Sequence, residues 1–277
     1  VPQLVKVQTL AFYSKKLDFY YMNQGYFFLW LKEVLFKRSV FRVMLSRSKY
    51  IEIQSPHVNS CLSDFIDTSN KGCFVKSDIK ISNDEFYAPK SYNFSKKIRF
   101  LFIVGPHFNS LHKNLIDFTN AMLVMKDKGI DFEINITLTN EQLENSKAWS
   151  TSLNSRTNFL GYISSQEKMA GLFCNNTILI STSIIETLGL HVIEGIKNGV
   201  VTIAPDEEYA NTVYGEKMFK YQLFNKDSLM SVIMNVINYK ESYNDKILSI
   251  QDDLRKNENK KFSSIIEIFD EVINVQK

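Results

Sequence analysis

The chain has little of what builds covalently or metal-stapled folds. Its 277 residues include three cysteines, Cys61, Cys73 and Cys174, an odd number, widely spaced and without a Cys-x-x-Cys pair. That argues against a disulfide framework or a thiolate zinc site and fits reduced thiols in the cytoplasm. No apolar run approaches the roughly 20 residues that cross a bilayer. The longest, Tyr26–Leu31, stops at Lys32-Glu33. No signal-peptide pattern precedes Leu4-Val-Lys-Val7, which already reads as a buried strand. Internal repeats, low-complexity tracts, an Asp-x-Asp motif and a recognisable Ser-His-Asp or Cys-His arrangement are also missing.

What is present is an ordinary globular composition, 44% hydrophobic and 23% charged, long enough for one large or two modest domains. The net charge of +3 hides an asymmetry: residues 1–50 carry nine Lys/Arg against two acids, Asp18 and Glu33. A basic N-terminal part beside a mildly acidic remainder suggests a surface facing an anionic partner. No nucleic-acid partner is expected.

Nine strand-like runs recur, at 4–10, 50–54, 73–76, 98–104, 132–138, 158–160, 178–181, 200–203 and 218–221. Amphipathic helical segments lie between many of them, at 27–46, 57–66, 111–128, 166–173, 190–198 and 226–239. Such alternation predicts an α/β fold with mainly parallel sheets. The polar stretch 83–97 shows neither period and reads as a linker, and 242–276 reads as two charged amphipathic helices split near 257–259.

One passage concentrates the chemistry. Residues 177–205 run strand, loop, helix, strand, with Glu186 on the loop, Gly189-Leu190 at the helix start and Glu194 one turn in. Ligands of such sheets sit beyond the carboxyl ends of the strands. A helix N-terminus there offers unpaired amides to a diphosphate, and Gly189 lets backbone approach without a Cβ. Glu194 has two acceptor oxygens for a ribose diol. Spacing alone equally allows a solvated loop acid and a Glu that complements the helix dipole.

The neighbours carry more. Ser183, Glu186, Gly189, Leu190, Glu194, Gly195 and Gly199 fall in register with the donor-site motif of retaining GT-B glycosyltransferases of the large E-x7-E family, glycosyltransferase family 4 (group 1). The stretch resembles those of bacterial surface-polysaccharide enzymes in particular. The segments 159–173 and 204–229 resemble the family's flanking pieces, and Leu111-His-Lys-Asn-Leu115 resembles its helix-opening string. The resemblance implies two facing Rossmann-like domains with parallel sheets, the N-terminal one incomplete. Its divisions would be 1–82 for the partial acceptor-side domain, 83–97 for the linker, 98–257 for the nucleotide-sugar domain and 258–277 for a helix packing back on the N-terminal domain. Since the chain opens on Val1 and not on Met, a fragment or an unusually short member is expected.

By the same resemblance, Glu186 and Lys113 are the catalytic residues, at the donor sugar and at the leaving diphosphate. Glu194 binds the nucleotide ribose, the backbone at Leu188, Gly189 and Leu190 holds the diphosphate, and Gly161 and Tyr162 meet the base. Ser183, Gly105 and His107 complete the donor side. Gln8 and Thr9 face the acceptor. The co-substrate would be a UDP- or GDP-sugar, with no cofactor and no metal, and the acceptor a glycan or lipid-linked glycan. The family's usual Arg after the strand-ending Gly is replaced by Pro106-His107, which leaves open a non-catalytic nucleotide-sugar-binding or partner subunit. A GT-B-like epimerase or phosphorylase fits less well, for want of a pyridoxal-type lysine or a His-rich pattern. The segment 17–49 mixes aromatics with cations and reads either as an interfacial surface for anionic lipid at the inner face of the membrane or for a lipid-diphosphate acceptor, or as a domain helix with core aromatics and solvated cations. His57, His112 and His191 lack ligand-like spacing and read as structural or solvent-facing.

Overall fold

The computed structural model describes residues 3–76, 86–105, 111–238, 243–258 and 264–275. The first unit is a three-stranded parallel sheet of order β1-β2-β3 (Leu4–Val7, Tyr50–Ile53, Gly72–Val75). Its helices are α1 (Lys15–Asn23), α2 (Phe27–Trp30), α3 (Phe36–Arg47) and α4 (His57–Ser63). The second unit is a six-stranded parallel sheet built from β4 (Ile98–Phe102), β5 (Phe132–Ile136), β6 (Thr157–Phe159), β7 (Thr177–Ile180), β8 (Val201–Pro205) and β9 (Phe219–Tyr221). Between these strands run α5 (Leu115–Asp127), α6 (Asn140–Glu144), α7 (Gln166–Ala170), α8 (Leu190–Lys197) and α9 (Glu208–Tyr214), and α10 (Lys226–Asn238), α11 (Tyr243–Glu258) and α12 (Ile265–Val275) come after them.

The reason for the parallel sheet is visible in the strands. Ile98-Arg-Phe-Leu-Phe102 is buried at every position but Arg99, and Thr177–Ile180 is buried throughout. Strands covered by helices on both faces need apolar side chains on both. The strand order is β6-β5-β4-β7-β8-β9, so the chain builds outward from β4 on one side and then, through β7, on the other.

Several elements depart from their sequence expectations. The first strand stops at Val7, which leaves Gln8 and Thr9 in the loop beyond it. The expected helix 27–46 is interrupted by a π-helical turn, Leu31–Leu35. The expected helix 111–128 opens as a 3-10 turn, Leu111–Lys113, and Asn114 at φ +46° separates it from α5. The short helices α1, α6 and α9 are additional to the expected set. One signal for α6 is readable: Thr139 and Gln142 form a reciprocal capping box.

Residues 86–97 lack helix or strand but are held firmly: Tyr87 N donates to Lys197 O at 2.8 Å and Lys90 N to Gly199 O at 2.8 Å. Tyr92 and Phe94 pack on the core of the six-stranded sheet. Positions 83–85 lie outside the described residues. The reading of 17–49 as a helix with core aromatics is overturned in part. Leu17, Tyr20 and Tyr21 are core, but Phe28 is 84% and Phe36 69% exposed. No helix among the described residues is long and apolar enough to cross a membrane.

Gly199 shows how tightly the motif's glycines are specified. It sits at φ +69°, and a Cβ there would lie 2.4 Å from Ala88 O. Gly199→Ala is expected to lower the unfolding free energy by about 2 kcal/mol or more, from left-handed strain plus the clash. Urea denaturation checks this; an unchanged midpoint would mean that the Ala88 segment moves aside freely.

Candidate functional site

The strands β4 and β7 are neighbours although two strands and their helices separate them in sequence. Their carboxyl ends frame the switch-point crevice, where open α/β sheets bind ligands. Two loops meet there, the 3-10 turn after β4 and residues 181–189 after β7. Ile184 N donates to His112 O at 2.7 Å. Thr182 Oγ1 donates to Lys113 O at 2.7 Å and Asn114 O at 2.9 Å. With the backbones joined, Lys113 Nζ donates to Glu186 Oε1 in a largely buried ion pair.

Two histidines complete this cluster. His191, second residue of α8, places Nε2 2.9 Å from Ser181 Oγ. Burial, assisted by the Lys113 charge, pushes the His191 imidazole down to about 3 and His112 to about 4, so both are neutral at neutral pH. Burial works most strongly against the charge of Glu186, but the Lys113 charge and hydrogen bond together with the His191 and His112 imidazoles outweigh it and hold the carboxyl down at about 2. The site is therefore a buried charge pair walled by neutral imidazoles. The two histidines, expected as structural or solvent-facing, stand beside the Lys113–Glu186 pair, where His191 holds Ser181 and the carbonyl of His112 holds Ile184. The available signal is adjacency, since one precedes Lys113 and the other follows Gly189-Leu190.

Gly189 caps α8 from the left-handed region at φ +60°. A Cβ there would lie 1.9 Å from Tyr214 Oη and 3.4 Å from Glu186 Cγ, so the position admits only glycine without rebuilding the site. The first helical bonds to Gly189 O come from Val192 and Ile193, which leaves the amides of Leu190 and His191 without an intrahelical partner at the helix start. Leu188 is buried and Leu190 half-exposed. Ser183 is buried, and its carbonyl accepts from Tyr209 Oη at 2.6 Å.

The remaining expected residues are spread along the rim. Glu194 lies on α8, its carboxylate partly exposed and 3.6 Å from Lys197 Nζ. Gly161 stands at φ +63° just beyond β6, and Tyr162 next to it is 70% exposed. Gly105 is exposed beyond the end of β4. Pro106 and His107 lie outside the described residues. Gln8 and Thr9 stand on the other unit. Thr9 and Lys113 share a cavity of about 1040 Å³ between the units, which Glu194 and Tyr162 do not line.

The loop after β7 also joins the units. Ile184 and Ile185 are buried in the core of the three-stranded unit, not in that of their own sheet. His57 Nε2 lies 2.8 Å from Glu186 O, and its Nδ1 lies 3.0 Å from Ser55 Oγ, so this histidine is a strut between units. Lys16 pairs with Glu207, and Tyr20 stacks on Phe224 at 5.5 Å.

No family model and no curated protein matches the chain. Solved structures do. A sucrose-phosphate synthase from Thermosynechococcus elongatus aligns with a TM-score of 0.62 at 13% identity, over 86% of this chain and 61% of its own. S. aureus TarM in complex with fondaparinux, α-GlcNAc-glycerol and UDP aligns at 0.55 and 18% identity, over 86% and 46%. An E. coli trehalose-6-phosphate structure bound with UDP-2-fluoro glucose aligns at 0.57 and 9% identity, over 79% and 60%. The chain thus spans less than two thirds of each of these relatives. The likeness shows the fold: GT-B, two Rossmann-like units with parallel sheets, three strands of the N-terminal one being described here.

The cluster carries a pH signature. Between pH 6.5 and about 4 the unfolded chain protonates His112 and His191 while the folded chain does not, so stability falls as pH drops through this window. Each histidine contributes a slope of up to about 1.4 kcal/mol per pH unit. The stabilisation from Glu186 is lost lower, from the usual carboxylate value of 4.5 down through about 2. Urea unfolding at pH 7, 6 and 5 reads the histidine slope. His112→Asn combined with His191→Asn is expected to flatten it; an unchanged slope would exclude these two as its source.

Proposed function

We propose that the chain is a retaining glycosyltransferase that moves a hexose-type sugar from a UDP- or GDP-sugar to a glycan or lipid-linked glycan in cell-surface polysaccharide synthesis, in the cytoplasm. The observation that carries this reading is the buried Lys113–Glu186 pair at the switch point, beside the Gly189-led start of α8. The UDP-bound and UDP-sugar-bound neighbours of the same fold support a nucleotide-sugar donor.

In this reading Glu186 is the counter-ion of Lys113 while the site is empty. An arriving diphosphate takes over that role: Lys113 turns to the phosphate oxygens, joined by the amides at the start of α8. Glu186 then accepts hydrogen bonds from sugar hydroxyls, and Glu194 from the ribose diol. The bond from the anomeric carbon to the phosphate oxygen breaks, the acceptor oxygen bonds to the same face, and the acceptor proton passes to the departing phosphate. The neutral imidazoles of His112 and His191 place no extra charge beside the diphosphate and exclude water from it. Gly161 and Tyr162 receive the base, and Gln8 and Thr9 face the acceptor.

A second reading, a nucleotide-sugar binder without turnover, is favoured by Pro106-His107 where an arginine is expected. Calorimetric titration with UDP, GDP and their sugars tests the shared part. Glu194→Ala is expected to weaken nucleotide binding about ten-fold, the loss of one charge-assisted contact; unchanged affinity would remove the ribose role. For turnover of a labelled donor, Lys113→Ala is expected to lower kcat about a hundred-fold or more. Nucleotide binding without any turnover by the wild-type chain would favour the binder.

A further inference from the structure

Three non-glycine residues among those described hold a left-handed backbone, Asn114, Asn176 and Phe224. Two of them answer to one side chain. Asp117, in the first turn of α5, is buried, and its Oδ2 accepts from Asn114 Nδ2 at 2.7 Å and from the Phe224 amide at 2.9 Å. Left-handed backbone is uncommon even for asparagine and an outlier for a residue as large as phenylalanine, so the surrounding structure must impose it.

The arrangement differs from an ordinary helix start. In a capping box the side chain at the place of Asp117 takes the backbone amide of the cap residue. Here the Asn114 amide donates to Leu111 O at 3.0 Å, and Asp117 takes the cap's side chain instead. Asn114 Oδ1 is buried and unpartnered, so the side chain is held through Nδ2, at Asp117. Asn114 directly follows Lys113, and its φ of +46° sets the direction in which the turn ending at Lys113 meets α5. The other donor is anchored. Phe224 lies in the loop after β9, where Leu223 packs on the cores of both units and the Phe224 ring stacks on Tyr20 of the three-stranded unit. The chain of contacts runs from the fixed Phe224 amide to Asp117, from Asp117 to Asn114, and from Asn114 to the backbone that carries Lys113.

We propose that Asp117 is a positioning residue for Lys113: by fixing the left-handed Asn114 against the anchored Phe224 amide, it aims the Lys113 ammonium at Glu186 and, in the proposed reaction, at the leaving diphosphate. The second half rests on the donor reading; the first half does not. The role needs an acceptor at the Oδ2 position, not a charge. Burial pushes the Asp117 carboxyl up, and the groups that face it, Tyr20, Tyr221, Asn114 and the Phe224 amide, are uncharged. Asp117→Asn keeps an oxygen for both donors, Asp117→Ala removes it, and Asn114→Gly adopts the left-handed backbone without a clamp.

Acetylation of the folded chain by acetic anhydride, read lysine by lysine by mass spectrometry, reports how well Lys113 is held. Lys32, Lys37 and Lys147 line the same cavity as Lys113 and are the internal controls. Asp117→Ala is expected to raise the Lys113 rate about five-fold or more and the control rates less than about two-fold. Asp117→Asn, and Asp117→Ala combined with Asn114→Gly, are each expected to bring the Lys113 rate back to within about two-fold of the wild-type chain. A Lys113 rate unchanged in Asp117→Ala would overturn the proposal, as would equal acceleration of the control lysines or a rise that neither restoring variant reverses. If Asp117→Ala does not fold by circular dichroism, Asn114→Ala, which withdraws the donor and disfavours the left-handed backbone, carries the same expectation for Lys113. For UDP affinity by calorimetry, Lys113→Ala and Asp117→Ala are each expected to weaken binding about ten-fold and to cost no more when combined, because one acts through the other. Additive losses would confine Asp117 to the fold and overturn the second half. If neither UDP nor GDP binds the wild-type chain, the donor reading fails, and the labelling still decides whether Asp117 aims Lys113.

Discussion

The loop after β7 is the constraint on which the two-unit architecture turns. Its Ile184 and Ile185 are buried in the core of the opposite unit, and its backbone is tied to His112, His57 and Tyr209. Burying two isoleucines contributes roughly 2 kcal/mol each. The geometric consequence matters more than this energy. A loop anchored on both sides cannot wander, so Glu186, the next residue, meets Lys113 from a fixed direction. The same short segment thus joins the units and holds the Glu186 carboxylate against Lys113.

Electrostatics explains why the pair must be held so firmly. A buried carboxylate is costly unless paired, and a buried ion pair is tolerable only with good geometry. Here Lys113 neutralises Glu186, and burial keeps His112 and His191 uncharged. The result is a largely buried ion pair beside two uncharged imidazoles. Gly189 lets the Tyr214 ring pack beside the pair, since any side chain there would occupy the space of Tyr214 Oη.

The N-terminal unit obeys a different rule. Its apolar residues divide between a core of Leu17, Tyr20, Tyr21 and Leu45 and an exposed face around Phe28 and Phe36. An exposed apolar face beside a lysine-lined cavity is an unusual allocation for a surface, because large apolar patches are normally covered or functional. Both features belong to the same helical segment, interrupted by the π-helical turn that moves Lys32 and Glu33 toward the cavity.

Much of this is legible in the residues. The described strands fall within the strand-like runs or overlap them, most plainly β7 and β8, because a parallel strand covered on both faces demands an apolar run whatever surrounds it. The donor-side motif is legible too, because Gly189, Gly195 and Gly199 answer to local backbone and packing demands that leave a mark in sequence. The capping box of α6 is equally local. Other features have no local mark. Nothing in Ser-Ile-Ile-Glu says that the two isoleucines belong to the other unit's core, and nothing in the spacing of His112 and His191 says that both stand beside the same ion pair. The aromatics of 27–44 read alike whether buried or exposed. Periodicity reports which side chains avoid water within one element, and so the sequence by itself determined the strands, the helix starts and the glycines. Which elements meet is decided by long-range packing, and so only the tertiary structure brought Lys113 to Glu186 and opened a charged cavity between the units.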